Sequence, residues 1–461
     1  MNLFVKNPGL VFLVTIISGC SSMDKVPPAN IEYAPLWEYS AESPTTINIE
    51  KEWWTLFESA QLTELIATAQ QKNSDVLIAG ERVRQAELQM QIANASLFPS
   101  LGLSASSGEN KTKASDGNWV ASESSRVGLS ANYEVDLWGG IAATRRAAKA
   151  NYKATDFSRE ATRLSVSAGV AIAWFNYLAL QERIITAQKN IAIAERIQNI
   201  VDSLYRNGVA TTADVAQQRA NLLTQQTALL PLQLQLNQTR SAIALLEGQV
   251  PQAYQLADEK FSDLQIPTIH AGVPADVLAR RPDIASAEAQ LQAASANVYA
   301  ARTAWLPSVE LGANMGKSAA ELFSLNPAIQ TAGWSVSLLQ TIFAGGRITY
   351  QVRLSESRRI ELLEQYRQTI LTVLQEVDDA LNRVAIAQQQ EINQQDILLQ
   401  SERSLQLIET LYREGGTNLL ALLDAQRSLF QAQDSLVRLR LARLEATVDL
   451  YKALGGGWQK I

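Results

Sequence analysis

The sequence predicts a mixed α and β membrane protein. It is built as two copies of one unit, each an amphipathic strand pair followed by a long antiparallel helical hairpin. Three observations carry this. The first is an internal echo: "LYRNGVATTADVAQQ" (204–218) returns as "LYREGGTNLLALLDAQ" (411–426), 207 residues on. "SLFPSLGLSAS" (96–106) returns as "AWLPSVELGAN" (304–314), and "YEVDLWGGI" (133–141) as "LLQTIFAGGRI" (338–348). Three landmarks in one order at nearly one offset mean duplication of a domain-sized unit, far longer than a solenoid repeat. The second observation is a switch from helical to alternating apolar period within each copy. The third is that 141–206 and 347–412 contain no Pro, and Gly only at 169.

The amino terminus comes first. "MNLFVKNPGLVFLVTIISGCSS" has a basic start, a short apolar core from Leu10 to Ile17, and small residues before Cys20. That pattern predicts a secretory signal over 1–19, with Cys20 becoming a lipidated first residue. The run is too short for a stable bilayer span, and no other run of about 18 apolar residues follows, so no transmembrane helix is expected. "SSMDKVPPANIEYAP" reads as an extended tether. We therefore divide the chain into a signal peptide (1–19), a lipidated tether with an equatorial segment (20–60), a first repeat (61–249), a linker (250–276) and a second repeat (277–461).

Each repeat opens with a helix. In the first it is "DVLIAGERVRQAELQMQIANA" after Asn73-Ser74, and in the second "DIASAEAQLQAASANVYAARTA" after Pro282, a residue suited to a first helical position. Strands follow. Leu101, Leu103 and Ala105, and then Val309, Leu311, Ala313 and Met315, occupy alternate positions after a Pro. So do Val127, Leu129, Ala131, Tyr133, Val135 and Leu137, and in the second copy Trp334, Val336 and Leu338. Alternation of this kind gives one apolar and one polar face. The stretches between, "SSGENKTKASDGNWVASESS" and "GKSAAELFSLNPAIQTAG", read as loops. Phe98, Trp119, Trp138, Trp305, Trp334 and Phe343 cluster near the strand ends, as an interfacial girdle would.

Gly-Gly at 139–140 and 345–346 opens the long helices. Some 65 residues of helix extend about 100 Å. Leu398, Ser401, Leu405, Ile408 and Tyr412 step as a coiled-coil seam. Asn207-Gly208 and Gly415-Gly416 then turn the chain, and second helices return to about Gly248 and Leu454. Pro231 predicts a bend in the first return helix.

Four strands cannot close a barrel, and an open sheet edge is forbidden in lipid. Chains must join in a ring: two would give eight strands, three twelve, and a conduit favours the larger.

The chain resembles the TolC-like outer-membrane efflux proteins, in the lipoprotein (NodT-type) branch. The matching phrases are "LARRPDIASAEAQLQAA", "ARTAWLPSVEL", "DLWGG", the two turn phrases with "LLDAQR", and the ending "LYKALGGGW". The resemblance implies a homotrimer: a 12-strand outer-membrane barrel, four strands per chain, continued by an α-helical coiled-coil tunnel in the periplasm. It implies a passive conduit exporting drugs or other toxic small molecules. The partners would be a periplasmic adaptor (membrane fusion) protein and an inner-membrane pump, with lipid anchoring in the outer membrane. A polypeptide (type I) secretion conduit would use the same architecture and is the alternative. By the same resemblance, Asp424 faces the pore axis at the narrow periplasmic end, with Leu420 one turn earlier as an apolar constriction. Asp214 is read as a third gate residue, as a helix cap, or as both, since "TTAD" has capping-box form with Thr211. Arg206, Gly208, Arg413 and Gly415 mark the tips that would meet the adaptor.

Composition excludes other classes. The net charge of −6 speaks against nucleic-acid binding. One Cys allows no internal disulfide and no Cys-cluster metal site. The single His270 lies in a Pro-flanked linker, and there are 4 Met, so soft metal ligands are few. We expect no enzyme activity, no cofactor and no metal site.

Overall fold

The computed structural model describes residues 28–29, 31–35, 37, 50–269 and 272–458. Cys20, the signal segment and His270 lie outside the described residues. Twelve regular elements are described. In the first copy they are α1 (Ala60–Lys72), α2 (Ser74–Ala95), β1 (Ser100–Lys113), β2 (Trp119–Glu134), α3 (Gly140–Arg206) and α4 (Thr212–Leu246). In the second they are α5 (Pro274–Arg280), α6 (Pro282–Thr303), β3 (Ser308–Ala319), β4 (Ile329–Leu339), α7 (Arg347–Arg413) and α8 (Leu419–Ala453). The duplication shows in the lengths: α2 and α6 have 22 residues each, α3 and α7 have 67, α4 and α8 have 35.

The chain forms two compact units. One contains Val83–Thr155 and Ser286–Arg367, and so holds all four strands. They form one antiparallel sheet in the order β1-β2-β3-β4. The register places Leu103 opposite Leu129, Leu129 opposite Met315, and Ala313 opposite Trp334. The apolar positions of all four strands therefore share one face. That face is bare in the single chain: Leu103 is 74% exposed, Trp334 81% and Leu338 68%. The opposite face carries Gly102, Ser130, Asn314 and Gly333 in one row. β1 and β4 are edges with unpaired backbone on their outer sides, which is viable in lipid only when further strands complete the sheet.

The strands are longer than the alternation suggests. β1 continues to Lys113 and β2 begins at Trp119, so most of the polar stretch read as loop is strand. Polar residues there satisfy the same backbone ladder without an apolar face, and the side-chain pattern does not report them. Below the strands, α3 and α6 pack through Ala147, Ala150 and Ala293, small side chains that let helices approach closely.

The second unit contains Asp156–Ala285 and Gln368–Ile461, with described parts of Ile31–Arg82. Its core is aromatic. Trp53 stacks on Tyr451 with centroids 5.2 Å apart, and Phe57 meets Phe175 at 5.0 Å. Burial, with the Glu50 charge adding to it, pushes the Tyr451 phenol up to about 12. Trp174 donates to Ser59 Oγ at 3.1 Å, and Ser59 donates to Glu259 at 2.6 Å. One 18-residue window of α3 reaches a mean hydropathy of 1.3, apolar enough by length and composition to cross a membrane, against the expectation of no such helix. Ser, Asn and Gly interrupt its apolar run, so no continuous stretch stands out in the sequence. Most of it, 61%, is buried inside the protein, where it supplies Trp174, Phe175 and Leu178 to this core. Pro231 lies inside α4, which runs through it as one helix.

Candidate functional site

The two turn phrases build two matched tips in the second unit. α3 stops at Arg206, and the chain reverses through Gly208 at φ +77°. Val209 N–H closes on Leu204 C=O at 2.9 Å, and Gly208 N–H on Tyr205 C=O at 3.0 Å. The second tip repeats this 207 residues on: Gly415 has φ +74°, Gly416 N–H reaches Leu411 C=O at 2.8 Å, and Gly415 N–H reaches Tyr412 C=O at 3.2 Å. These bonds satisfy carbonyls that a helix end would otherwise leave open, a geometry that favours Gly at the left-handed position. A Cβ added at Gly208 or Gly415 would meet nothing within 4 Å. Gly is required there by backbone angle, with no crowding.

Each return helix is then capped. Thr211 Oγ1 accepts from Asp214 N–H, and the Asp214 carboxylate accepts from Thr211 N–H at 2.8 Å, a complete capping box. Asn418 Oδ1 accepts from Ala421 N–H at 3.0 Å. Of the two sequence readings of Asp214, the cap is present. Its charge also reaches the other hairpin: burial first, and Asp214 second, push the Tyr412 phenol up.

Beneath the tips, both hairpins share one apolar cluster. Ile197 and Val201 of α3 join Leu405 and Tyr412 of α7 and Leu422, Leu429 and Phe430 of α8. On α8, Leu419, Leu422, Leu423 and Ala425 turn inward, leaving Leu420 and Asp424 on the opposite, solvent face. Leu420 is 56% exposed, and the Asp424 side chain likewise 56%. The structure thus places these two on one stripe, four residues apart. Arg427, on the same face, approaches Asp424 at 3.3 Å, an exposed pair of little energetic weight. Asp214 belongs to α4 and shares no partner with Asp424.

Sequence reasoning missed Glu409. Its carboxylate is buried, 8% exposed, and accepts from Arg196 of α3 at 2.8 Å and Arg413 at 2.6 Å. It joins the two hairpins one turn from the second tip. The i,i+4 spacing of Glu409 and Arg413 was visible in the sequence; the third member, Arg196, was not. Arg206, at the first tip, donates only to Asp202 C=O of its own helix, at 3.3 Å. Polar bonds also run across the hairpins. Gln218 donates to Ala194 C=O at 2.9 Å, and Asn221 donates to Gln426 at 3.0 Å. Among the described residues no group of three or more His, Cys, Asp or Glu is placed to hold a metal ion.

Comparison with known proteins agrees with this geometry. The profile of the outer membrane efflux protein family matches residues 65–249 and again 273–456, once on each copy. The chain is 37% identical over 449 residues to the pyoverdine export outer membrane protein OpmQ of Pseudomonas putida, covering 95% of this chain and 93% of that protein. It is 30% identical over 414 residues to the cation efflux system protein CusC of Escherichia coli, covering 88% of each. The solved outer-membrane channel OprN superposes with a TM-score of 0.87 at 26% identity, over 94% of this chain and 99% of that one. The fold is that of the trimeric TolC-like channels, in which four strands from each of three chains close the barrel and helical hairpins continue it. With its profile on both repeats and relatives along nearly its whole length, the chain belongs to the outer membrane efflux protein family.

Proposed function

We propose that this outer-membrane channel serves as the exit duct of a tripartite efflux system. It passes small molecules outward while a periplasmic adaptor and an inner-membrane pump supply capture and energy. The observation that carries the proposal is the pair of tips, built to one geometry 207 residues apart. Three chains present six similar turns, a surface suited to a ring of adaptor subunits. Arg206, Gly208, Arg413 and Gly415 are the docking residues. Leu420 and Asp424 face the axis and form the gate: an apolar constriction beside a ring of carboxylates that favours cations. Asp214 supports the gate by capping α4, and Glu409 by holding the hairpins together. The relatives named above are a pyoverdine export protein and a cation efflux protein; selection of cargo belongs to the pump.

The chain divides by this reading at the boundaries given above, with residues 61–249 and 277–461 as the repeats and Cys20 as a lipid anchor. Geometry supports the anchor. Arg367 Nε donates to Ala29 C=O at 2.8 Å. The nine residues from Cys20 to Ala29 reach about 30 Å when extended, and the helix from Arg367 back to Arg347 is also about 30 Å. A fully extended tether would be just long enough to bring Cys20 to the level where α7 leaves the sheet.

The test is conductance of the purified trimer in planar bilayers. Wild type should conduct with a preference for cations, and Asp424→Ala should widen the entrance and weaken that preference. Unchanged conductance and unchanged ion preference would remove Asp424 from the gate; a wild-type protein that never conducts would remove the duct itself.

A further inference from the structure

Charge pairing changes along α3. Just past Thr155 the charges pair: Arg159 meets Asp156 at 2.9 Å and Glu160 at 2.8 Å, and Arg163 approaches Glu160 at 3.6 Å. Residues 140–155, nearer the sheet, hold Arg145, Arg146, Lys149 and Lys153 and no Asp or Glu. Arg146 lies over the Tyr299 ring, 5.6 Å from its centre. Arg145, Lys149 and Lys153 are exposed, and none makes an ion pair among the described residues. Spaced by four, they form one stripe on the helix. α7 begins in the same way. Its first fourteen residues, 347–360, contain one acid, Glu356, which is committed to Arg302 at 2.8 Å. Arg347 and Arg358, eleven residues and three turns apart, share a face and, like Arg353 on another face, are exposed with no ion pair among the described residues.

The neighbours of these cations are apolar. The chain leaving β4 exposes Ile342 by 91% and Phe343 by 88%, immediately ahead of Arg347. Trp138 and Trp305 sit at the same ends of the strands. An exposed apolar and aromatic rim followed within one to four helical turns by unpaired Arg and Lys is the order in which a membrane interface places residues: rings at headgroup depth, and cations reaching the phosphates.

We propose that Arg145, Lys149, Lys153, Arg347 and Arg358 form a basic band that binds the headgroup phosphates of anionic phospholipids in the periplasmic leaflet, fixing the depth of the barrel. The inference rests on the sheet being the outer-membrane barrel. Lys and Arg near an anionic surface each contribute an attraction that salt screens. The unpaired state of the five side chains follows: a lipid phosphate, and no carboxylate of this chain, is their counter-charge. The contrast with the paired cluster of Asp156, Arg159, Glu160 and Arg163 marks where lipid contact ends.

The test uses the full-length trimer in detergent, offered equal phosphatidylglycerol and phosphatidylcholine and analysed by native mass spectrometry, with bilayer conductance run in parallel. Wild type should retain phosphatidylglycerol about tenfold over phosphatidylcholine, and the ratio should fall toward one when all five residues become Gln. The milder α3 set, Arg145→Gln with Lys149→Gln and Lys153→Gln, changes only exposed side chains and should lower the ratio about threefold, which decides the matter if the five-site variant fails to assemble. An unchanged ratio in a variant that conducts normally would overturn the band and leave the channel standing. A changed ion preference with an unchanged lipid ratio would also overturn it, by placing the stripe on the conduit. Loss of trimer and conductance in the wild type would instead overturn the channel reading.

Discussion

Replacing Gly208 and Gly415 by Val should break docking while leaving the channel assembled. The cost is calculable because it has one source. Both residues sit at φ near +75°, and an added Cβ has open space around it. A Cβ therefore meets no steric conflict with neighbours, and the left-handed backbone is the main cost. That conformation costs an ordinary L-residue about 1–2 kcal/mol, and a β-branched one up to about 3 kcal/mol. Asn adopts it with little penalty. Against this stand the apolar cluster under the tips, in which Val201, Leu422 and Leu429 are almost fully buried, and the Glu409 bridge. The trimer should keep its normal level in Gly415→Ala and lose a few degrees of melting temperature in Gly415→Val. Crosslinking to the periplasmic adaptor should fall sharply in the double Val variant, and efflux with it, because the misplaced turn recurs in every chain. Gly415→Asn separates two causes. It keeps the angle but adds a side chain, so loss of crosslinking in Asn with a normal melt means that the adaptor needs the bare backbone. Normal efflux by the double Val variant at normal protein level would refute the docking role of these turns.

Two further outcomes follow from a buried carboxylate, Glu409, and a half-buried one, Glu445. Glu409→Ala should cost about 1 kcal/mol, less than a fully buried pair, because Arg196 and Arg413 are each 52% exposed and regain water; a lower melting temperature and faster proteolysis at the tips would show it, and an unchanged melt would deny the bridge. Glu445 has its pKa raised by burial first and by Asp449, against the Asn176 hydrogen bond. A carboxyl raised in the fold contributes most below its unfolded value of about 4.3 and loses that contribution as pH rises through the folded value. Glu445→Gln should therefore stabilise the trimer at pH 8, with the difference vanishing near pH 4; equal melting curves at both pH values would contradict this.

The long hairpin helices were legible almost to the residue, because their signals are local, while the short α1 and α5 were not. Gly-Gly opens α3 and α7, a left-handed Gly closes each, and the seam positions Leu405 and Tyr412 do lie in the shared cluster. The strands were legible only where they carry an apolar face. Over 106–113 and 122–125 the residues are polar on both faces, and pairing such as Asn110 with Ser122 depends on the neighbouring strand. The aromatic core was not legible either. "WWTLF" at 53–57 looks like any apolar cluster, and its partners Phe175 and Tyr451 lie more than a hundred residues away. Glu409 shows the same limit at the candidate site, since half of its bridge comes from the other repeat.

The duplication explains one more pair of residues, which sequence identity conceals. At the end of α1, Asn73 Nδ2 donates to Leu246 C=O, the last carbonyl of α4, at 2.8 Å. At the matching place in the second copy stands Arg281, whose Nη1 donates to Ala453 C=O, the last carbonyl of α8, at 2.9 Å. The glycine after each return helix, Gly248 and Gly455, has positive φ and lies against the backbone carbonyl of Lys72 and Arg280 respectively. One copy thus closes its hairpin with a neutral amide. The other uses a guanidinium with donors to spare, which also holds Asp283 at 2.7 Å and Glu376 at 2.8 Å. The requirement retained from the ancestral unit is a donor aimed at an open helix carbonyl, because a buried carbonyl without a partner costs about 1–3 kcal/mol. Asn meets that requirement alone; Arg meets it and gathers two acids from α6 and α7 around the same point. In "LARRPD" Arg281 therefore does more than its counterpart Asn73: the second repeat fastens three helices through a side chain where the first fastens two.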